Sequence, residues 1–311
     1  MNGYAGNRPR SGLALLRKPE GITSFQALFP VKRALDSEKV GHAGTLDRFA
    51  SGLLVVLVGS YSRLAQYVVS GEKLYRGIIG FGSETATLDP EGEVVARAEA
   101  PTRVQIEDAL PGFRGSIMQR PPAYSAVHVD GKRAYKLARE GKVPELKERQ
   151  IEIYSLTLIS YENDDAFVEV RCSSGTYIRS LARDIALACG SRAHLRSLER
   201  LSIGPYKVED ATNPETFDPD ADLRILTPED ASSLGLRSVG LIDAGLTTSF
   251  INGGKIKAAA FTTLDGGMSA IGCESAVFGV KSDFLGVIHL GSDGPTYRVV
   301  MPRSTLSGEA P

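Results

Sequence analysis

The chain has 311 residues, enough for two domains at about 150 residues each and for a sizeable core. Apolar content of 42% and charged content of 23% are ordinary for a soluble globular protein and exclude a disordered or fibrous one. A net charge of −1 argues against an indiscriminate nucleic-acid coat, and three cysteines without a C-x-x-C pair argue for reduced, buried thiols.

Near the N-terminus the apolar stretch Leu13 to Leu16 is too short for a signal peptide or a membrane helix, so a cytoplasmic protein without a membrane partner is expected. Residues 13–24 predict a strand ending in a Pro-x-Gly turn, with Thr23 or Ser24 capping a helix. Phe25, Leu28, Phe29 and Leu35 have roughly helical spacing, and Pro30 kinks that helix or delays its start. A glycine-rich loop, Gly41 to Gly52, then carries His42 and Asp47 directly into the apolar run Leu53 to Val58. A polar loop fed into core holds a reactive side chain on rigid support. Taken alone, however, an Asp among glycines reads as a turn or helix cap.

Tyr61 to Val69 predicts a helix, and residues 73–82 a strand with Tyr75, Ile79 and Phe81 on one face. Asp89 to Gly92 is a turn, and 102–112 a short helix. Gln119 to Ala126 is a rigid extended segment because of its two prolines. Asp130-Gly131 signals a hairpin, and Ala134 to Glu140 a helix. Strands 151–161 and 166–172 form a hairpin whose inner face is Ala166, Val168, Val170 and Cys172. A helix follows, with Ile178, Leu181, Ala182 and Ile185 as its core stripe. Arg179 near its N-terminus opposes the helix dipole and requires an acidic partner or an anionic ligand.

Charge is unevenly spread. Between Arg171 and Tyr206 six arginines stand against two acids, a net of +4, which suits a defined polyanion site. From Val208 to Ser232 eight acids face one base, a net of −7, in a proline-punctuated stretch that reads as a linker or as the far side of the first domain. Beyond about 240, strands at 269–273, 276–280, 284–290 and 296–301 predict a small β-barrel or sandwich. The whole is therefore α+β rather than βαβα, with a mixed, mainly antiparallel sheet over residues 10–235 and a small β domain over 240–305. His42, His128, His194 and His289 lack metal-ligand spacing, and no phosphate-binding glycine motif occurs, so neither metal nor cofactor is expected.

Three stretches together resemble the bacterial tRNA pseudouridine synthase B (TruB) family: Gly41-His42-x-Gly44-x-Leu46-Asp47-x-x-Ala50-x-Gly52, Lys73-x-Tyr75, and Gly175-Thr176-Tyr177-Ile178-Arg179. Lys18-Pro19-x-Gly21-x-Thr23-Ser24 and Pro121-Pro122-x-Tyr124-Ser125-Ala126 support it, and the match runs from residue 13 to about 206. The resemblance implies a pseudouridine synthase catalytic domain and, more weakly, a small PUA-type RNA-binding domain at the C-terminus. It also implies the reaction, in which uracil is detached from its ribose, turned, and rejoined through C5. The implied target is uridine 55 in the T loop, with the tRNA T-arm as partner and the protein working as a monomer. Asp47 would be the catalytic carboxylate, as nucleophile or as base, and such chemistry needs no metal or redox cofactor. Arg179 would pair with Asp47, Tyr75 would lie against the base, and Tyr177 and Leu198 would complete an apolar pocket. His42 would fill the space left by the flipped nucleotide, and Lys18 would support the loop. The sequence departs from the family pattern at Arg17, where Asp is usual, at Arg48, where Pro is usual, and at His128, where Lys is usual. Arg48 leaves the carboxylate in register and offers a phosphate contact. Two rivals, a non-catalytic RNA-binding scaffold and a carboxylate glycoside hydrolase, are weaker, because Asp47, Tyr75 and Arg179 are all present and only one acid has a convincing site.

Overall fold

A computed structural model describes residues 11–36, 39–125, 128–129, 132–134, 137, 146–266, 270–280 and 282–302. Among these residues nine strands make one sheet and five another. The first sheet contains β1 (Gly12–Lys18), β2 (Val40–Ala43), β3 (Ser51–Val58) and β4 (Lys73–Phe81). Two hairpins stand apart from it, β5 (Ser83–Thr85) with β6 (Val94–Arg97) and β8 (His128–Val129) with β9 (Lys132–Arg133). Its remaining strands are β7 (Gly115–Gln119), β10 (Arg149–Glu162), β11 (Asp165–Cys172), β12 (Ala193–Ile203) and β13 (Tyr206–Lys207). The order is β1-β3-β12-β4-β11-β10-β7, with β2 on β3 and β13 on β12. Every pairing in it is antiparallel except β3 with β12. The expected α+β class and mainly antiparallel sheet are thus present.

The parallel contact between β3 and β12 matters because the loop that carries Asp47 enters β3 there. Gly52 pairs with Arg200, and a Cβ on Gly52 would lie 2.4 Å from the Arg200 carbonyl oxygen. With φ at +105°, the position is open to glycine alone in practice. That glycine brings Asp47's loop hard against the centre of the sheet.

One face of the sheet packs the helix Ile178–Ala188. Its stripe of Ile178, Leu181, Ala182 and Ile185 meets Tyr75, Ile79, Val168, Val170 and Leu195 in one buried cluster, as the period-2 and period-3.6 patterns require. The acidic stretch after β13 is the far side of this domain and not a free linker: Leu13 bridges to Arg224, Leu16 bridges to Thr212, and Phe217 is buried beneath β1. It covers an edge strand that would otherwise be exposed.

The second sheet is β14 (Arg237–Leu241), β15 (Phe261–Thr263), β16 (Glu274–Phe278), β17 (Phe284–Leu290) and β18 (Pro295–Val300), in the order β15-β14-β16-β17-β18. It is docked on the first domain. Phe278, Phe284 and Val287 share one buried cluster with Leu13, Tyr61, Tyr206 and Leu226, and the Tyr61 and Phe284 rings meet edge to face at 5.8 Å.

Several local expectations need correction. The expected strand 269–273 does not form in its described part, because Gly272 takes φ of +86° within a turn. Tyr61 to Val69 is two pieces, a 3-10 helix Gly59–Leu64 and an α-helix Ala65–Ser70. Phe25 and Phe29 do not join Leu28 in the core but are 56% and 49% exposed. The turn at Asp130-Gly131 and most of the helix expected from Ala134 to Glu140 lie outside the described residues.

Candidate active site

Asp47 sits on the loop between β2 and β3, and that loop is clamped from two sides by side chains bonding to its backbone. On one side Lys18, fully buried, donates from Nζ to the carbonyls of Pro19 (2.8 Å), Ile22 (2.7 Å) and Arg48 (3.4 Å). Beside it Ser24 Oγ donates to the Leu46 carbonyl at 2.9 Å and accepts from the Leu46 N–H at 2.8 Å. On the other side the buried Arg200 donates from Nη2 to the Gly44 carbonyl (2.9 Å), from Nη1 to that of Thr45 (3.5 Å) and from Nε to that of Leu53 (2.9 Å). Burial drives the Lys18 ammonium down to about 8, although the nearby Asp47 charge opposes the shift.

The expected Arg179 partner is found. Arg179 Nε lies 2.8 Å from Asp47 Oδ2, although its N–H misses the direction of a proper hydrogen bond, so this contact is an ion pair. A second carboxylate shares the same guanidinium: Asp89 Oδ2 accepts from Nη1 at 3.1 Å, with both side chains only 6% exposed. The carbonyls of Thr87 (2.8 Å) and Tyr124 (3.1 Å) accept the remaining donors described. Asp89 is itself fixed, since its Oδ1 accepts from Thr87 Oγ1 and from the Glu91 N–H. Arg179 is therefore aimed at Asp47 by a buried anionic anchor, and its place in the first turn of a helix is explained.

Burial pushes the Asp47 carboxyl above the ordinary 3.8; the Arg179 guanidinium pulls it back and the Asp89 charge pushes it up again. Asp47 Oδ1 has no protein partner among the described residues, so one oxygen is held and the other faces the cleft.

That cleft, about 690 Å³, is lined by Asp47, Arg179, Tyr75, Tyr177, Leu198 and His42 together. Lys18 lies behind the lining, under the loop. The sequence thus named six residues that one cavity collects and a seventh that supports it. Burial raises the Tyr75 hydroxyl while the neighbouring Arg200 lowers it. Burial also lowers the His42 imidazole, with Arg200 adding to the effect, and His42 Nδ1 is buried with no hydrogen-bond partner among the described residues. A neutral, weakly tethered ring at the cleft wall is suited to packing against an aromatic base. Gln119 fixes Tyr177 by both backbone groups, accepting from its N–H at 2.9 Å and donating to its carbonyl at 3.1 Å.

Comparison with known proteins now carries weight. A description of the TruB family pseudouridylate synthase N-terminal domain matches residues 32–178. The tRNA pseudouridine synthase B of Borreliella burgdorferi (strain ZS7) is 44% identical over 205 residues, 65% of this chain and 73% of that protein. This chain belongs to the TruB family. The tRNA pseudouridine synthase B of Stutzerimonas stutzeri (strain A1501) is similar too, at 43% over 212 residues, 68% of this chain and 70% of the relative. A crystal structure of a Cbf5-Nop10-Gar1 complex superposes with a TM-score of 0.71 at 24% identity, covering 95% of this chain and 87% of the other, which establishes the common fold.

Within this TruB chain, sequence reasoning missed four residues of the site. Asp89 was read as a turn residue, and Gln119 as part of a proline-stiffened segment. Ser24 was read as a helix cap, and Arg200 as one more member of a basic cluster. The only signal for Asp89 was the requirement that Arg179 have acidic company. The arginine cluster does not assemble as one polyanion site. Arg179 and Arg200 are consumed within the cleft, whereas Arg171, Arg183, Arg192 and Arg196 pair with Glu72, Asp184, Glu84 and Asp165. Lys73, from the Lys-x-Tyr motif, turns out to cap a helix, donating to the Val69 carbonyl at 2.6 Å and to that of Gly71.

Proposed function

We propose that this TruB chain isomerises uridine 55 in the T loop of tRNA to pseudouridine, with Asp47 as the catalytic carboxylate and no metal or cofactor. The observation that carries this reading is a lone reactive carboxylate, one oxygen paired to the buried Arg179 and the other open, at the wall of a cleft beside Tyr75. Detaching uracil and rejoining it through C5 takes place at a single sugar carbon, so one positioned anion is sufficient. A glycosidase working by paired acids would need a second reactive carboxylate in the cleft, and Asp89 is locked behind Arg179.

The roles follow from position. A stacked uridine cannot reach the cleft wall, so the nucleotide is flipped out, and the neutral His42 ring takes the vacated space. Tyr75, Tyr177 and Leu198 enclose the base and exclude water. Tyr75 lies in the cleft wall where the base would sit and stays protonated at working pH, because burial raises its hydroxyl; its part is to pack the base. Arg179 keeps Asp47 ionised and aimed. Lys18 and Arg200 hold the loop that carries it. The small C-terminal sheet adds RNA affinity, and the protein acts as a cytoplasmic monomer on the T-arm.

Chemical mapping of pseudouridine in an unmodified tRNA transcript after incubation with the purified protein tests this directly. The expected product lies at position 55 alone. Modification at another site, or none, would overturn the assignment.

A further inference from the structure

Two neighbouring aromatic rings remain without a role, and one of them, Phe25, is in the cleft wall. Phe25 and Phe29 flank the short 3-10 helix Gln26–Leu28. Helical spacing groups them with Leu28, yet only Leu28 is buried, while Phe25 is 56% and Phe29 49% exposed. Large apolar rings held in water next to a substrate cleft mark a contact surface. The rings meet edge to face at 5.2 Å, and Lys32 Nζ lies 5.2 Å from the Phe25 centroid, so the pair has a defined orientation and a local positive charge.

Phe25 lines the cleft that holds Asp47, and so does Arg48. Arg48 Nε donates to the Gly21 carbonyl at 2.9 Å, which fixes the stem of the guanidinium. Its side chain is 61% exposed, with Glu91 3.8 Å from Nε, and its two Nη amines have no acceptor among the described residues. An exposed ring and a guanidinium with two open donors, both in the wall of one cleft, match a nucleotide: a π-face for the base and a fork for the phosphate.

We propose that Phe25, braced by Phe29, is the stacking platform for the unpaired nucleobase next to the flipped uridine, with Arg48 taking the adjoining phosphate. The proposal rests on the function proposed above. Extruding the target uridine strips both of its neighbours of a stacking partner; His42, in the vacated space, meets one of them, and the Phe25 ring in the cleft wall takes the other. A cation over the ring and another in the same cleft wall favour a phosphate-bearing strand as the occupant.

The test uses the full chain with Asp47→Asn to hold the complex and a T-arm stem-loop carrying 2-aminopurine on one side of the target or, in a second RNA, on the other. Binding should change the fluorescence of one of the two RNAs. Adding Phe25→Ala should abolish that change and raise Kd about tenfold, the scale of one base–aromatic stack. Phe25→Leu, apolar but without a π-face, should behave as Phe25→Ala, and Phe25→Trp should restore both signals. Arg48→Gln should flatten the slope of log Kd against log salt by about 0.7, one single-strand phosphate contact. Wild-type affinity and fluorescence in either Phe25→Ala or Phe25→Leu would overturn the platform. Tritium release by the protein with Asp47 intact, on a 5-tritiated form of the same stem-loop, separates the two readings. Normal release with no Phe25 effect removes the platform alone, and no release removes the functional reading and the platform with it.

Discussion

Asp89→Asn is the sharpest perturbation of the site, because Asp89 faces the guanidinium and not the cleft. Asparagine keeps the shape and keeps an acceptor for the Thr87 hydroxyl and the Glu91 N–H, but it removes the charge that Arg179 Nη1 meets at 3.1 Å. A hydrogen bond to a charged group contributes about 1.5–3 kcal/mol. Expressed wholly in positioning Arg179 against Asp47, that becomes a fall of roughly 10- to 150-fold in single-turnover rate, at about 1.4 kcal/mol per factor of ten. The acid limb of the rate should move as well. Asp47 is pulled down by the Arg179 charge more than it is raised by the Asp89 charge, so an Arg179 loosened by Asp89→Asn should shift the limb to higher pH, in the same direction as Arg179→Gln. Rapid-quench measurement of tritium release across pH 4–8 reads both effects, with RNA binding measured alongside. A variant with the parental rate and an unmoved acid limb would refute the claim that Asp89 acts through Arg179.

Other consequences reach further from the chemistry. Arg200→Lys cannot span the carbonyls of Gly44, Thr45 and Leu53, so it should lower the single-turnover rate about 100-fold, as for a reacting group misplaced by about an ångström, while Kd for tRNA holds; a rate within threefold of the parent would dismiss the brace. Phe284→Ala opens a gap where the two sheets share a core and should cost about 3–5 kcal/mol in urea unfolding, and a loss below about 1 kcal/mol would mean that the second sheet is merely tethered. Lys18 titrates near 8 when folded against 10.5 unfolded, so between those values the unfolded chain holds a proton that the folded chain has lost, and stability rises with pH across that window. Urea titrations at pH 8 and 10 should show a smaller rise in Lys18→Met; an equal rise would place the titration elsewhere.

Most residues that line the cleft were legible because they occur in tight local motifs. His42 and Asp47 lie within the one motif Gly41 to Gly52, and Tyr177 and Arg179 at one helix start. Apart from Lys18 and Arg179, what positions them was not legible. Asp89 is 90 residues from Arg179, and Arg200 is 156 from Gly44. Both act through contacts that leave no periodicity, and Asp-Pro-Glu-Gly reads as a turn whatever its carboxylate does. Side chains that clamp backbone, such as Ser24 on Leu46 and Gln119 on Tyr177, are hidden for the same reason. Phe25 was misplaced because helical spacing groups residues on a face without saying which face meets the core, and a 3-10 turn before Pro30 rotates the chain. In the second sheet, Phe261–Thr263 is too short to register as a strand, and Arg237–Leu241 is masked by the glycine inside it.

The central claim is that one charge, on Asp47, performs the chemistry. Asp47→Asn keeps the size of the side chain and most of its hydrogen bonding while removing the anion. Release of tritium from 5-tritiated uridine in tRNA, followed through a single turnover with enzyme in excess, isolates that charge. The parent should release one tritium per tRNA. Asp47→Asn should release none above background while binding tRNA within about tenfold of the parent, a difference of about 1.4 kcal/mol. Substantial release by Asp47→Asn would contradict the account.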